Sequence, residues 1–341
     1  MQISPERLTR LLGVYIPKRW PVLITGRPGI GKSDIVEAAA DDAEHDLLIS
    51  HPVVEDPTDS KGLPYPASDG SFARFLPFGD LERALSATRP LVWFFDDLGQ
   101  ASPAVQAAKM QLVLARRIGE HKLPDCVTFV AATNRRGENS AVAGLLDPLI
   151  DRFAAVVELV SNVNCWTSWA VKHAMPPELI AFLRFKPDLL WEERRNRDIV
   201  ASASPRKWGK LGEAFPDLPA DLLTEAINAG VGSGAGAELI SFLSIYRALP
   251  SVDAILMNPD IGVIPEEPSI LFALTAALAN QASDGNFERV LRYADRLVDA
   301  GQREFTALLV RDATARKPEL QNHHAFVRAQ GGEIGKIIRG D

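Results

Sequence analysis

The stretch GRPGIGKS, residues 26–33, constrains this chain more than any other feature. It fits G-x-x-x-x-G-K-[ST], with Gly26, Gly31, Lys32 and Ser33 in the fixed places. The apolar run Val22–Thr25 precedes it, and a helical pattern over Lys32–Asp41 follows. Glycines allow a tight turn that points successive backbone N–H groups inward, and the helix adds the positive end of its dipole; together they cradle phosphate. A glycine-rich turn with a solvated lysine is the plainer alternative, but the strand before and the helix after are what phosphate binding requires.

The flanking sequence supplies a sheet for such a loop. Leu47–Val54, Leu91–Phe95, Val127–Ala132 and Phe153–Val160 are further apolar runs of buried-strand length, alternating with helical segments as in an open α/β sheet. In SPAVQAAKMQLVLARR, Ser102 can cap a helix with Pro103 in its first position. Beyond Val160 the strand signals stop and helical periodicity takes over. The proline- and acid-rich segment NPDIGVIPEEPS marks a second boundary near residue 257, giving domains at 1–160, 161–256 and 257–341.

Two adjacent acids, Asp96 and Asp97, end the run LVWFF, where the carboxyl end of a parallel strand meets a ligand crevice. Asp96 there can hold Mg²⁺ through water, alongside the Ser33 hydroxyl, or be simply a helix cap or surface acid beyond a buried strand; Lys32 can meet the β- and γ-phosphates. Asp97 can serve as general base or orient water, although its carboxylate reaches one methylene less far than a glutamate's. Asn134 ends the next apolar run, CVTFVAATN, and can project into the same crevice, or be simply a turn asparagine. Arg152, in GLLDPLIDRF, precedes the last run.

Composition narrows the partners. Thirty-seven basic against forty-four acidic residues give a net charge of -7, which argues against a nucleic-acid partner. Cys126 and Cys165 have neither disulfide-framework nor metal-ligand spacing, which favours the cytoplasm. No apolar run reaches membrane-spanning length, and the first residues lack a signal peptide's apolar segment. His323 and His324 lack partners at zinc-binding spacing.

Taken in order, GRPGIGKS, FFDDLGQ, VAATN, LLDPLIDRF and SPRKW resemble the AAA+ ATPases, especially their MoxR-like branch, over about residues 20–250. The resemblance implies a P-loop NTPase sheet of five parallel strands in the order 5-1-4-3-2, an all-α lid and a helical C-terminal segment. It implies ATP and Mg²⁺ as cofactors. Gly26, Arg27, Pro28, Gly29, Ile30, Gly31, Lys32, Ser33 and the following Asp34 would form the Walker A loop, and Asp96 and Asp97 Walker B. Asn134 would be sensor 1, and Arg152 the finger that reaches a neighbouring subunit's nucleotide, with Arg135 and Arg136 as rivals. Arg206, after Ser204 and Pro205, would be the sensor 2 arginine of the lid, the plainer reading being an exposed first-turn residue. The family's usual second Walker B acid is glutamate, so Asp97 is a departure. The resemblance further implies a hexameric ring, a partner with a von Willebrand factor A domain and a protein client.

Two loops are candidates for client contact. DSKGLPYPASDGSFARFLPF carries the turn Ser68-Asp69-Gly70 between Tyr65 and Phe72 and reads as an inserted hairpin. Its aromatics either stand exposed or pack down onto the sheet. RRIGEHKLPD resembles the hairpin before sensor 1, or is a solvated tip. The functions that follow are an ATP-driven remodelling motor, a slowly hydrolysing nucleotide-gated scaffold, or, disfavoured by charge, a loader acting on DNA.

Overall fold

The computed structural model describes residues 1–135, 144–160, 162–193 and 200–340. The chain divides into two compact units, residues 1–161 and 162–341.

The first unit is built on β1 (Gln2–Ile3), β2 (Val22–Gly26), β3 (Asp46–Ser50), the hairpin β4 (Leu63–Pro66) and β5 (Ala73–Leu76), β6 (Leu91–Phe95), the short hairpin β7 (Arg117–Ile118) and β8 (His121–Lys122), β9 (Val127–Thr133) and β10 (Ala155–Leu159). Its helices are α1 (Pro5–Tyr15), α2 (Lys32–Asp42), α3 (Pro57–Lys61), α4 (Gly79–Leu85), α5 (Pro103–Ala115) and α6 (Asp147–Ile150). The central sheet has the order β1-β10-β2-β9-β6-β3, and every neighbouring pair is parallel. β6 and β9 are buried at every position, as expected of strands covered on both faces.

The five strands expected from the sequence run in the expected order, but the sheet has six. The addition is β1, whose two residues pair with Glu158 and Leu159 at the edge and are too short to leave a periodic signal. The second expected strand also stops early. It ends at Ser50 rather than Val54, because Pro52, which has no N–H to give a ladder, opens a 3₁₀ turn over Pro52–Val54.

Beside the sheet, Trp93, Phe95 and Phe129 pack with ring centroids 5.3–6.0 Å apart. Lys109 of α5 is buried over the Phe95 ring at 4.7 Å and lies 2.7 Å from Glu55, which follows the 3₁₀ turn. Burial pushes the Lys109 ammonium below its usual range, and Glu55 opposes that shift. The β4–β5 hairpin forms where the turn signal lies, with Asp69 accepting from the Ser71 N–H. Its aromatics stand exposed rather than packed down, Tyr65 at 61% and Phe72 at 51%. The β7–β8 hairpin touches it: Glu120 accepts from the Phe75 N–H at 3.2 Å, and His121 Nε2 lies 2.8 Å from the Phe75 carbonyl.

The second unit is helical: α7 (Val163–Lys172), α8 (Pro177–Phe185), α9 (Pro205–Ala214), α10 (Leu223–Val231), α11 (Ser233–Arg247), α12 (Val252–Met257), α13 (Pro268–Gln281), α14 (Phe287–Asp299), α15 (Arg303–Arg316), α16 (His324–Ala329) and α17 (Glu333–Arg339). One core gathers around Phe182, Trp208 and Phe242, another around Phe287, Tyr293 and Leu309, and Leu249 and Phe272 pack against both. Arg184 of α8 and Asp312 of α15 form a bidentate pair, both side chains about nine-tenths buried. No helix among the described residues is long and apolar enough to cross a membrane.

Candidate active site

The phosphate-loop motif occupies the position the sequence assigns to it. β2 ends at Gly26, the chain turns, and α2 begins at Lys32. Gly31 caps that helix with φ 90°, a left-handed conformation in which any side chain would be strained. Asp34 lies in the first turn of α2, where a negative charge suits the helix dipole.

Lys32 is buried, and its ammonium donates to the carbonyls of Gly26 at 3.0 Å and Arg27 at 3.1 Å and to Oδ1 of Asn134 at 2.9 Å. Oxygen acceptors are what phosphate would offer the same cation. Ser33 Oγ donates to Asp96 Oδ2 at 2.8 Å. A hydroxyl and a carboxylate are hard oxygen donors of the kind Mg²⁺ takes, so this pair fits the ion. Among the described residues no group of three or more His, Cys, Asp or Glu side chains is placed to hold a metal.

Asp96 and Asp97 follow β6, and their carboxylates have different neighbours. Asp96 Oδ1 accepts the Asp97 backbone N–H at 3.0 Å while Oδ2 meets Ser33. Asp97 has φ 54°, an uncommon left-handed conformation for a residue with a side chain. Its Oδ1 accepts from Asn134 Nδ2 at 3.2 Å and from Gln100 Nε2 at 3.1 Å. Asn134 thus uses both ends of its amide, accepting from Lys32 and donating to Asp97. Sheet order makes this reachable: β9, which Asn134 follows, lies between β2 and β6, so its end is flanked by the Gly26–Ser33 loop and the acid pair.

Two neighbours of this cluster escaped sequence reasoning. Gly99, in the 3₁₀ turn Leu98–Gln100, sits so close to β9 that a Cβ there would be 2.2 Å from Thr133 Oγ1. Gln106 is fully buried in α5, donating to the Ala101 and Gly144 carbonyls and accepting from the Leu146 N–H, each at 3.0 Å. It ties α5 to the segment leading into α6. A glycine and a glutamine near an acid pair give no sequence signal of their own, because both act through packing between distant segments.

The arginines are less tightly gathered. Arg152 follows α6 and turns back to donate to the Pro148 carbonyl. Arg135 forms an ion pair with Glu158 of β10. Arg136 lies outside the described residues. Arg206 lies in the first turn of α9, in the helical unit; the expected cap is present, with Ser204 Oγ accepting from the Lys207 N–H at 3.4 Å. His323 and His324 stack at 4.4 Å, and His323 Nδ1 accepts from the Ala325 N–H.

No protein-family model and no curated relative matches the chain. Among solved structures it is similar to RuvB of Thermotoga maritima, described as a Holliday junction branch migration motor. The identity is 19% and the TM-score 0.40, over 87% of each chain. It is also similar to NtrX from Brucella abortus, at 14% identity and a TM-score of 0.42, over 90% of this chain and 68% of that one. These likenesses are loose.

Proposed function

We propose that the chain is an AAA+ ATPase of the MoxR-like type, which binds Mg-ATP, hydrolyses it and assembles into a ring that remodels a protein client. The observation carrying this reading is the Asn134 amide, which joins Lys32 to Asp97 while Ser33 meets Asp96. A phosphate-binding lysine, a polar strand end and a second acid then form one connected unit.

In the proposed mechanism Gly26–Ser33 wrap the phosphates and Lys32 neutralises charge on the β- and γ-positions. Ser33 and Asp96 would hold Mg²⁺, which when bound supplies further neutralisation of phosphate charge. Asp97 accepts the proton of the attacking water or orients it, and Asn134 keeps that carboxylate in register with Lys32. Arg152 serves as the finger on a neighbouring subunit's nucleotide; the ion pair of Arg135 with Glu158 gives that rival an occupation within its own chain. Arg206 would act as sensor 2 from a lid at 161–256, with 257–341 as an extension of it. A partner with a von Willebrand factor A domain would select the client, and the exposed Tyr65, Phe72 and Phe75 of the β4–β5 hairpin are surfaces suited to an unfolded segment.

Steady-state ATPase assays on Lys32→Ala and Arg152→Ala test the mechanism. Both are expected to lose turnover, the second by about 10³- to 10⁵-fold with Mg-ADP binding intact. Wild-type rates in both would remove the mechanism. The slowly hydrolysing scaffold rests on Asp97, whose shorter reach separates it from a glutamate. A large gain in turnover in Asp97→Glu, with assembly unchanged, would favour the scaffold.

A further inference from the structure

We infer that Gln100 is a positioning residue for the hydrolytic carboxylate, a role that rests on the ATPase reading above. Asp97 Oδ1 accepts two side-chain amides, one from Asn134 at 3.2 Å and one from Gln100 at 3.1 Å. The two donors differ in what else they touch. Asn134 is also bonded to Lys32, the group that triphosphate engages, so nucleotide binding perturbs Asn134's hold on Asp97. Gln100 belongs to the turn that Asp97 itself opens, and its backbone N–H donates to the Asp97 carbonyl at 2.9 Å.

The Gln100 amide is therefore anchored twice to Asp97, by main chain and by side chain. Nothing in that link passes through the phosphate loop. When Lys32 turns to phosphate, Gln100 keeps the carboxylate plane fixed while Asn134 readjusts. Such a hold matters most where the acid is short, because a displacement of about 1 Å at the reacting group costs on the order of 100-fold in rate. Gly99 supports it by letting the turn lie against Thr133, next to Asn134.

Gln100→Met keeps the side-chain length and removes the donor; Gln100→Glu keeps the shape and sets a carboxylate against Asp97. Each variant is assayed for kcat, for KM of ATP and, by calorimetry, for Mg-ADP affinity. Loss of one hydrogen bond to a charged group predicts a fall in kcat of about 10- to 100-fold for Gln100→Met, and more for Gln100→Glu. KM and Mg-ADP affinity should stay within about 3-fold, since the phosphate loop is untouched. Wild-type kcat in a folded Gln100 variant, or a change confined to KM, overturns the inference while leaving the ATPase reading intact. A wild-type chain that neither binds Mg-ADP nor turns over ATP overturns both.

Discussion

Gly99→Ala is a one-carbon test of how the acid pair is placed. Gly99 is buried and has no left-handed backbone, so alanine meets no conformational penalty there. What it meets is Thr133: the added Cβ would lie 2.2 Å from Oγ1, 3.3 Å from the Thr133 Cβ and 3.5 Å from Leu145. Ordinary contact for such atoms is about 3.5 Å, so the turn carrying Asp97 and Gln100 must retreat from β9 by roughly 1 Å. Asp97 would then move away from Asn134, which is bonded to it across that gap. A misplacement of that size predicts a fall in kcat on the order of 100-fold, about 2.7 kcal/mol of transition-state stabilisation. The Gly26–Ser33 loop joins β2 to α2 and does not touch Gly99, so Mg-ADP affinity by calorimetry should change by less than about 3-fold. Thr133→Ala removes the clashing oxygen and leaves the 3.3 Å neighbour, so Gly99→Ala/Thr133→Ala should recover most of the lost rate. Wild-type kcat in Gly99→Ala, or no recovery in the pair, would refute this reasoning.

Three further outcomes are expected. Glu55→Ala should destabilise the first unit by about 3–5 kcal/mol in urea unfolding, because it strands the buried Lys109 ammonium; Glu55→Leu/Lys109→Met should recover most of that loss. Gln106→Leu leaves two carbonyls and one N–H without their partner and should cost roughly 2–4 kcal/mol by the same measurement. Burial raises the Glu178 carboxyl above its ordinary range, more strongly than Arg316 lowers it. As pH rises the unfolded chain then releases this proton before the folded one does, so Glu178's contribution is full in acid and is lost as pH rises past its raised folded pKa. Thermal scans of Glu178→Gln should therefore match wild type near pH 4 and show a higher Tm than wild type near pH 8; the reverse order would contradict the assignment.

Much of the sheet was legible because buried parallel strands are written as continuous apolar runs, as in LVWFF and VTFVAAT. β1 was not, since two residues carry no period, and the early end of β3 turned on Pro52 overriding an apolar run. The strand–turn–helix around GRPGIGKS and the place of both acids just after β6 could be read from the sequence, because an apolar run leads into each. Which atoms of Asn134 meet Lys32 and Asp97 could not, since that depends on three strands lying side by side. Exposure of Tyr65 and Phe72 was equally hidden, as aromatics favour strands whether or not anything covers them. Gln100 sits three residues from Asp97 in plain view, yet only the left-handed turn at Asp97 reveals why the two meet.

The proposed ATPase depends on nucleotide phosphate being held by the Gly26–Ser33 loop through Lys32. Calorimetry of the pure, folded chain with Mg-ADP at up to millimolar ligand tests that claim most directly, alongside Lys32→Ala. Saturable uptake of one nucleotide per chain, weakened at least about 10-fold in Lys32→Ala, is the predicted result. No uptake by the wild-type chain, or equal uptake by the variant, would contradict it.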